Sequence, residues 1–479
     1  MTVNVIPIVM LIVYAIVTIG IANIVLRKKL GSEHFLVAGR ALPISLVIAC
    51  VVGDLLGGPS TVGVCQRGFT EGIVGIMYPI SMAVGMVLFS ATMAARFRRL
   101  NAITIPEVVG RLFDVKTRFI TALVIAIAYF IIGITQIMAG GALLSSLLGI
   151  DIILANLITA LIFSVIIIAG GLRSIALVNI IQVCVIFIGI VFSLSFSLIL
   201  IGGSLTGGVS RIWTELPRSF WSFGTLSPRT LSGETLSTVL TMFAAQAVIT
   251  GVFAAKNEKI ASRGSWLASL FYLPVGIAFV ILGMCSRIHF GETLPFGLTA
   301  APAMMLALNP VMAGISICGL FAAIVSTGPL IFLAPIQIFI RDIYTVYMSP
   351  EASDRKILVI NRILALALCV IAWFFTFTFQ EILEVVYWAF SIRAGIAIIL
   401  LSVTFLGARN VSEDGAFWGL ITGALVFTVW TLTGSPFGVH VAIPSVAAVL
   451  CAALIISQFK KRTQELTPEV KEALYPGRG

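Results

Sequence analysis

Long runs of uniform hydrophobicity are the feature that most limits what this chain can fold into. Thirteen runs approach the ~20 residues that a helix needs to cross a bilayer, in a chain that is 59% hydrophobic. They cover 3–26, 42–66, 72–95, 118–148, 152–169, 174–202, 235–255, 264–286, 310–342, 356–377, 381–407, 415–433 and 441–459. The runs do not alternate as barrel strands would, and unpaired backbone groups are too costly in hydrocarbon for any other crossing. We therefore predict an all-α integral membrane protein with thirteen transmembrane helices.

The distribution of Lys and Arg predicts the orientation of the chain, because basic loops stay in the cytoplasm. With the N-terminus outside, 24 of the 30 basic residues are cytoplasmic and Arg393 lies within a helix. The other five lie in outer loops, at Arg67, Arg211, Arg218, Arg229 and Arg287. The net charge of +10 then reflects topology, and no basic stripe with aromatics indicates nucleic acid. We expect a multi-pass plasma-membrane protein with a cytoplasmic tail at 460–479.

The second run contains an unusual segment, GDLLGGPSTVG, at 53–63. Gly57 and Gly58 each cost a helix about 1 kcal/mol, and Pro59 about 3 kcal/mol, relative to Ala. The pattern predicts that the helix unwinds near the bilayer midplane. Backbone carbonyls freed there must bind something or line a cavity. The alternative is a packing kink whose glycines allow two helices to approach closely.

The seventh run, TLSTVLTMFAAQAVITGVFAA (235–255), would be the counterpart of the second in an inverted repeat. It has a polar middle, with Thr241, Gln246 and Thr250, but no central Gly or Pro, so no matching break is predicted. Gln136 is a further polar residue inside a run. Singly, such groups more often join helices than bind ligands. Together with a broken helix they indicate a polar cavity at the midplane.

A second cluster, AAIVSTGP, lies at 322–329 in the ninth run. Ala323, Ser326 and Thr327 are spaced i, i+3, i+4, so one carbonyl and two hydroxyls can share a helix face. Three oxygens without a full charge suit a monovalent cation such as Na⁺. The alternative is that the two hydroxyls bond back to carbonyls of their own helix.

Arg393, in YWAFSIRAGIAIILL, lies near the bilayer centre. A central Arg costs at least ~2.5 kcal/mol on insertion scales, so it must face a partner or an aqueous cavity. Asp54 is the carboxylate expected at similar depth, since Glu381 and Glu384 lie nearer the outer surface. Two alternatives follow: Arg393 has Asp54 as its charge partner, or it binds an anionic ligand.

Several strings together resemble the sodium:solute symporter family. They are GFTEGIVGIMY (68–78), TIPEVVGRLF (104–113), GGLRSIALVNIIQ (170–182), FAAKNEKIASRGS (253–265) and AAIVSTGPLIFLAPIQIFIRDIY (322–344). The resemblance covers nearly the whole chain. It implies a sodium-driven symporter that imports a small solute, and the leucine-transporter fold with ten core helices in two inverted sets of five. The sets would be 42–202 and 235–407, preceded by a helix at 3–26 and followed by two at 415–459.

The family pattern also implies ligands. Its sodium site matches Gly53, Leu56, Ala323, Ser326 and Thr327, and its substrate region matches Ser60, Tyr78, Thr241, Phe390 and Arg393. An arginine there favours a solute that bears a carboxylate.

Departures from the pattern leave two points open. Asn179 replaces a carboxylate that many members carry, which leaves a second sodium site in question. Asp54 is one position away from an aspartate of the proline transporters, so that role is not transferred to it. The alternatives to sodium symport are proton coupling through Asp54 and a membrane sensor without transport. An enzyme is not expected, because His34, His289 and His440 are scattered and no nucleophile and base pattern occurs.

Overall fold

The backbone of the described residues is helical almost throughout, as the lack of hydrogen-bonding water in a bilayer requires. The computed structural model describes residues 5–26, 41–169, 172–295, 298–349, 351, 353–379 and 381–476. Within these residues, ten helices are long and apolar enough to cross a membrane, and three shorter helices are also apolar. The all-α prediction is confirmed, and the count of thirteen spans remains a prediction.

The first half of the chain contains nine helices in the described residues. They are α1 (Val5–Leu26), α2 (Ile44–Leu55), α3 (Val64–Glu71), α4 (Met77–Thr92), α5 (Ala94–Arg99), α6 (Ile105–Leu112), α7 (Val115–Leu148), α8 (Ile152–Ala169) and α9 (Leu172–Gly202). A π-helical segment, Pro59–Gly63, separates the break after α2 from α3. The basic segment at 27–29 and the side chain of Asn179 lie outside the described set.

The second half continues in the same way. Its helices are α10 (Leu205–Glu215), α11 (Pro228–Thr241), α12 (Gln246–Phe253), α13 (Glu258–Phe290), α14 (Ala300–Leu306), α15 (Pro310–Ile338), α16 (Asp354–Phe375), α17 (Ile382–Leu406), α18 (Glu413–Leu432), α19 (Ala442–Phe459) and α20 (Pro468–Leu474). A second π-helical segment, Phe339–Met348, extends α15.

The two predicted sets of five helices pack into each other. Helix α15 of the second set lies along α7 and α9 of the first, and α17 lies along α7. In the reverse direction, α13 packs on α2, α3 and α4. Helices α18 and α19 pair with each other beside α17. The broken pair α2 and α3 is therefore surrounded by helices from both sets.

We name the two ends of the bundle by what they carry. The loop face carries residues 203–227, and the tail face carries residues 460–476. The tail contains the short helix α20, whose Val470, Ala473 and Leu474 are buried. The Arg96 Nε donates to the Leu474 carbonyl at 2.9 Å. The apolar side of α20 therefore anchors the tail to the bundle.

Candidate binding site

The first break lies where the glycines and proline predict it. Helix α2 ends at Leu55, and Leu56 has a non-helical φ of −88° and ψ of 49°. The chain becomes helical again with Pro59 as the first residue of the π-helical segment. A proline is tolerated there because the first turn of a helix does not need its N–H. The last carbonyls of α2 are left without partners of their own helix.

Close packing explains why glycine occupies the break. A Cβ atom on Gly57 would lie 2.5 Å from Gln136 Nε2 and 2.9 Å from Thr327 Cγ2. A Cβ atom on Gly58 would lie 2.4 Å from the Ala139 side chain. Gln136 also accepts a hydrogen bond from the Gly58 N–H at 2.8 Å. The broken segment thus touches α7 and α15 at backbone distance.

A second break interrupts the seventh run, whose sequence has a polar middle but no central Gly or Pro to signal it. Helix α11 ends at Thr241, a 3₁₀ turn covers Met242–Ala244, and Ala245 has a non-helical φ of −85° and ψ of 87° before α12 begins. The Tyr129 hydroxyl accepts a hydrogen bond from the Ala247 N–H at 2.8 Å. This break forms without a central Gly or Pro, because tertiary partners satisfy its backbone groups. The first helix of each predicted set is therefore broken.

Four oxygens of the predicted sodium ligands meet between α2 and α15. Thr327 Oγ1 donates to the Gly53 carbonyl at 2.6 Å, and Ser326 Oγ lies 3.2 Å from the same oxygen. Ser326 Oγ is also 2.9 Å from the Ala323 carbonyl and 3.5 Å from Thr327 Oγ1. Leu56 is the first residue of the break, three positions after Gly53. Ser326 does bond back to the Ala323 carbonyl of its own helix, as the alternative interpretation predicts. The same hydroxyl also lies within hydrogen-bond distance of the Gly53 carbonyl of α2.

A cavity with about 40 Å³ of space for water-sized molecules lies next to these oxygens. Its lining includes Asp54, Ser60, Tyr78, Gln136, Phe390 and Arg393 of the predicted residues, together with Thr327. Two predicted substrate contacts, Thr241 and Gln246, are not part of the lining. The Gln246 amide instead bonds the Ile105 N–H at 2.8 Å and the Ile103 carbonyl at 3.1 Å. Gln246 therefore ties the start of α12 to the start of α6.

The two charged residues of the cavity do not form an ion pair. Arg393 is 2% exposed, and its guanidinium carbon lies 4.8 Å from the ring centre of Tyr129 and 5.1 Å from that of Phe390. Arg393 Nε and Asp54 Oδ1 are both buried without a hydrogen-bond partner. The structure thus places the anticipated charge partner on the same cavity but not in contact with the arginine.

Ser60 occupies the cavity wall with its hydroxyl already engaged. Its Oγ donates to the Leu55 carbonyl at 2.5 Å, and the Tyr272 hydroxyl donates to it at 3.3 Å. The Ser60 hydroxyl therefore bridges the break and satisfies one of the freed carbonyls.

Aromatic rings form one side of the cavity. Tyr78 stacks on Phe390 with centroids 6.1 Å apart and meets Tyr387 edge-on at 5.8 Å. Tyr129 also lines the cavity, and sequence reasoning missed it. Its spacing offered a signal: Tyr129 lies seven residues, or two helical turns, before Gln136 on one face of α7.

An ion-pair network lies beyond the cavity on the loop face. Arg67 holds both oxygens of Glu234, at 2.9 and 3.1 Å, and donates to Glu71 at 2.9 Å and to the Tyr387 hydroxyl at 3.0 Å. The His440 ring packs edge-on against Tyr387 at 6.1 Å. Burial, and secondarily the Arg67 charge, lower the pKa of His440 to about 4. This network joins α3, α11 and α17.

A second network lies on the tail face. Arg118 on α7 donates to Asp342 Oδ1 from Nε at 2.8 Å and from Nη2 at 2.5 Å. Thr104, which caps α6, donates to Asp342 Oδ2 at 3.1 Å. Asp342 is fully buried in the segment that extends α15. The cavity therefore lies between two networks, one toward each end of the bundle.

Comparison with known proteins assigns the family. A family model, the sodium:solute symporter family, matches residues 35–423. The chain belongs to the sodium:solute symporter family. Na⁺ is thus the coupling ion of this symporter. The symporter is a multi-pass membrane protein and belongs to a family of transporters.

Two relatives align with most of the symporter's length, but at low sequence identity. It is 23% identical to the sodium/glucose cotransporter of Vibrio parahaemolyticus, over 75% of this chain and 72% of that protein. It is 22% identical to the osmoregulated proline transporter OpuE of Bacillus subtilis, over 94% of each.

Solved structures resemble the symporter along most of its length. A Na⁺-coupled sialic acid symporter superposes with a TM-score of 0.80 at 16% identity, over 97% of this chain and 100% of that one. Mhp1, a nucleobase-cation-symport-1 family transporter, gives 0.59 at 15% identity, over 93% and 100%. These likenesses concern the fold alone. They confirm the predicted leucine-transporter fold class.

Proposed function

We propose that this symporter imports a small carboxylate-bearing solute by sodium-driven alternating access, with Arg393 as the anchor for the carboxylate. One observation carries the proposal: a buried guanidinium lines the cavity and has no carboxylate in contact with it. A buried charge without a counter-charge in contact is costly. An arginine in this position is suited to a carboxylate, which it can hold with two parallel hydrogen bonds.

We propose the sodium ligands to be Gly53, Leu56, Ala323, Ser326 and Thr327. The support is the set of neutral oxygens within hydrogen-bond distance of each other between α2 and α15. Hard monovalent cations favour such oxygens. An ion held there would join the first helix of one inverted set to a helix of the other, which couples its binding to the arrangement of the two sets.

We further propose that sodium and solute share Thr327. Its hydroxyl belongs to the oxygen cluster, and the residue lines the cavity. Binding of either ligand then orders the same side chain for the other. Thermodynamic linkage makes this effect reciprocal: bound solute must raise the affinity for sodium, and bound sodium must raise the affinity for solute, by the same factor.

The remaining solute contacts are proposed to come from Ser60, Tyr78, Gln136 and Phe390, which line the cavity beside Arg393. The tail face is proposed to be cytoplasmic and the loop face external, since basic residues concentrate toward the former. On the same ground we propose that the N-terminus lies outside a plasma membrane.

A thermal-shift screen in detergent tests the anchor. Amino acids, carboxylates, sugars and vitamins are added to the full-length protein in sodium or in potassium. We expect a carboxylate to raise the melting temperature in sodium only, and the shift to disappear in Arg393→Ala and weaken in Arg393→Lys, which lacks the planar fork.

Two controls accompany the screen. Arg211→Ala removes an exposed arginine on the loop face and should leave the shift unchanged. The sodium shift without solute reports whether Arg393→Ala is folded. A solute that binds equally well to Arg393→Ala and to the unmodified protein would contradict the proposal.

A further inference from the structure

The cavity carries two residues of opposite charge that are not in direct contact with each other. Asp54 and Arg393 are the charged residues among those that line it, and each has a buried polar atom without a partner, Oδ1 and Nε respectively. The neighbouring charges are already paired. Arg67 pairs with Glu234 on the loop face, and Arg118 pairs with Asp342 on the tail face.

The oxygen cluster does not supply a partner for Asp54. Gly53, Ser326 and Thr327 bond to each other, and the carboxylate of Asp54 is not bonded to any of them. Asp54 faces the cavity instead. A solute with only an anionic group would pair with Arg393 and leave this carboxylate without a direct partner.

We infer that the solute is a zwitterion, with its anionic group bound by Arg393 and a primary or secondary ammonium group bound by Asp54. This rests on the proposed function, since it takes Arg393 as the carboxylate anchor. Each buried charge then has a direct counter-charge. A carboxylate accepts N–H hydrogen bonds, so an ammonium group that carries hydrogens fits better than a quaternary one.

The rest of the lining limits the size and polarity of the solute. Tyr78, Met82, Ile132, Val248 and Phe390 contribute apolar surface. The space in it that is open to water-sized molecules is about 40 Å³, which favours a compact solute. The class that satisfies both charges and this surface is the amino acid with a compact apolar side chain.

Matched ligand trios test the inference on the unmodified protein. Each trio consists of an amino acid, the carboxylate without its amine, and the amine without its carboxylate. The trios are alanine, propionate and ethylamine; valine, isovalerate and isobutylamine; proline, cyclopentanecarboxylate and pyrrolidine; and phenylalanine, 3-phenylpropionate and phenethylamine. Dissociation constants are measured in sodium by calorimetry on full-length protein in detergent.

We expect one amino acid to bind at least about tenfold more tightly than either partner of its trio, as loss of one charged hydrogen-bonded pair implies. In Asp54→Asn, the preference for the amino acid over its carboxylate should fall below about threefold. The sodium shift measured without solute should persist in that variant.

Three results would overturn the inference. If a carboxylate binds as tightly as its amino acid, the solute need not be a zwitterion, although the proposed carboxylate anchor stands. If Asp54→Asn abolishes the sodium shift without solute, Asp54 serves the ion. If no member of any trio that bears a carboxylate binds, both the inference and the proposed function fail.

Discussion

At the scale of single residues, the proposed sodium site depends on how closely a backbone can approach two side chains. Gly57 lets the break lie against Gln136 and Thr327, and its neighbour Gly58 donates its N–H to the same glutamine. A methyl group at Gly57 would have to displace the Gln136 amide, which holds the break in place. The geometry of the oxygen cluster therefore rests on a residue that supplies none of its proposed ligands.

We predict that Gly57→Ala lowers sodium affinity at least about tenfold while the protein still folds, because the break is pushed away from α15. Sodium titration followed by thermal shift measures this. Gly20→Ala is the matched control, since nothing lies within 4 Å of the added methyl group in α1. Equal sodium affinity in both variants would show that the break does not position the ligands.

At the scale of elements, the two broken helices show what sequence can and cannot predict. The first break follows from Gly57, Gly58 and Pro59, whose backbone preferences are local. The second depends on the Tyr129 hydroxyl and on the Gln246 amide, which bonds residues far away in sequence. Such partners exist only once α6, α7 and α12 are packed, so no local pattern could predict the break.

The start of α19 gives the prediction of pH dependence. The His440 Nδ1 accepts a hydrogen bond from the Ala442 N–H at 3.3 Å, next to Arg67 and the Tyr387 ring. The pKa of His440 is lowered from 6.5 to about 4 in the folded protein, so the unfolded chain binds this proton more readily. The free energy of unfolding therefore has its full value with respect to His440 above pH 6.5, and it decreases as the pH falls from 6.5 through 4.

We therefore expect the melting temperature to fall across this window in the unmodified protein, and to fall less in His440→Asn, whose side-chain oxygen can accept the same bond without titrating. Measuring melting curves at a series of pH values in detergent distinguishes the two. Superimposable pH profiles would mean that His440 does not contribute.

At the scale of the whole molecule, alternating access requires that each end of the bundle can open separately. The Arg67 and Glu234 pair joins α3, α11 and α17 on the loop face. The Arg118 and Asp342 pair joins α7 to the extension of α15 on the tail face. Both pairs are present together in this structure, one toward each end of the bundle. Each pair is buried or partly buried, so removing one partner leaves the other uncompensated.

We predict opposite effects from matched substitutions in the two networks. Glu234→Gln should increase amide hydrogen exchange in 60–71 but not in 336–348, and Asp342→Asn should do the reverse. Sodium should reduce the exchange at 336–348 in Asp342→Asn, because its proposed site joins α15 to α2 and therefore opposes movement of the α15 extension. Exchange measured by mass spectrometry on protein in detergent, with and without sodium, tests this. If either substitution raised exchange equally in both segments, the two networks would not close the two ends independently, and alternating access in this symporter would have to rest on other contacts.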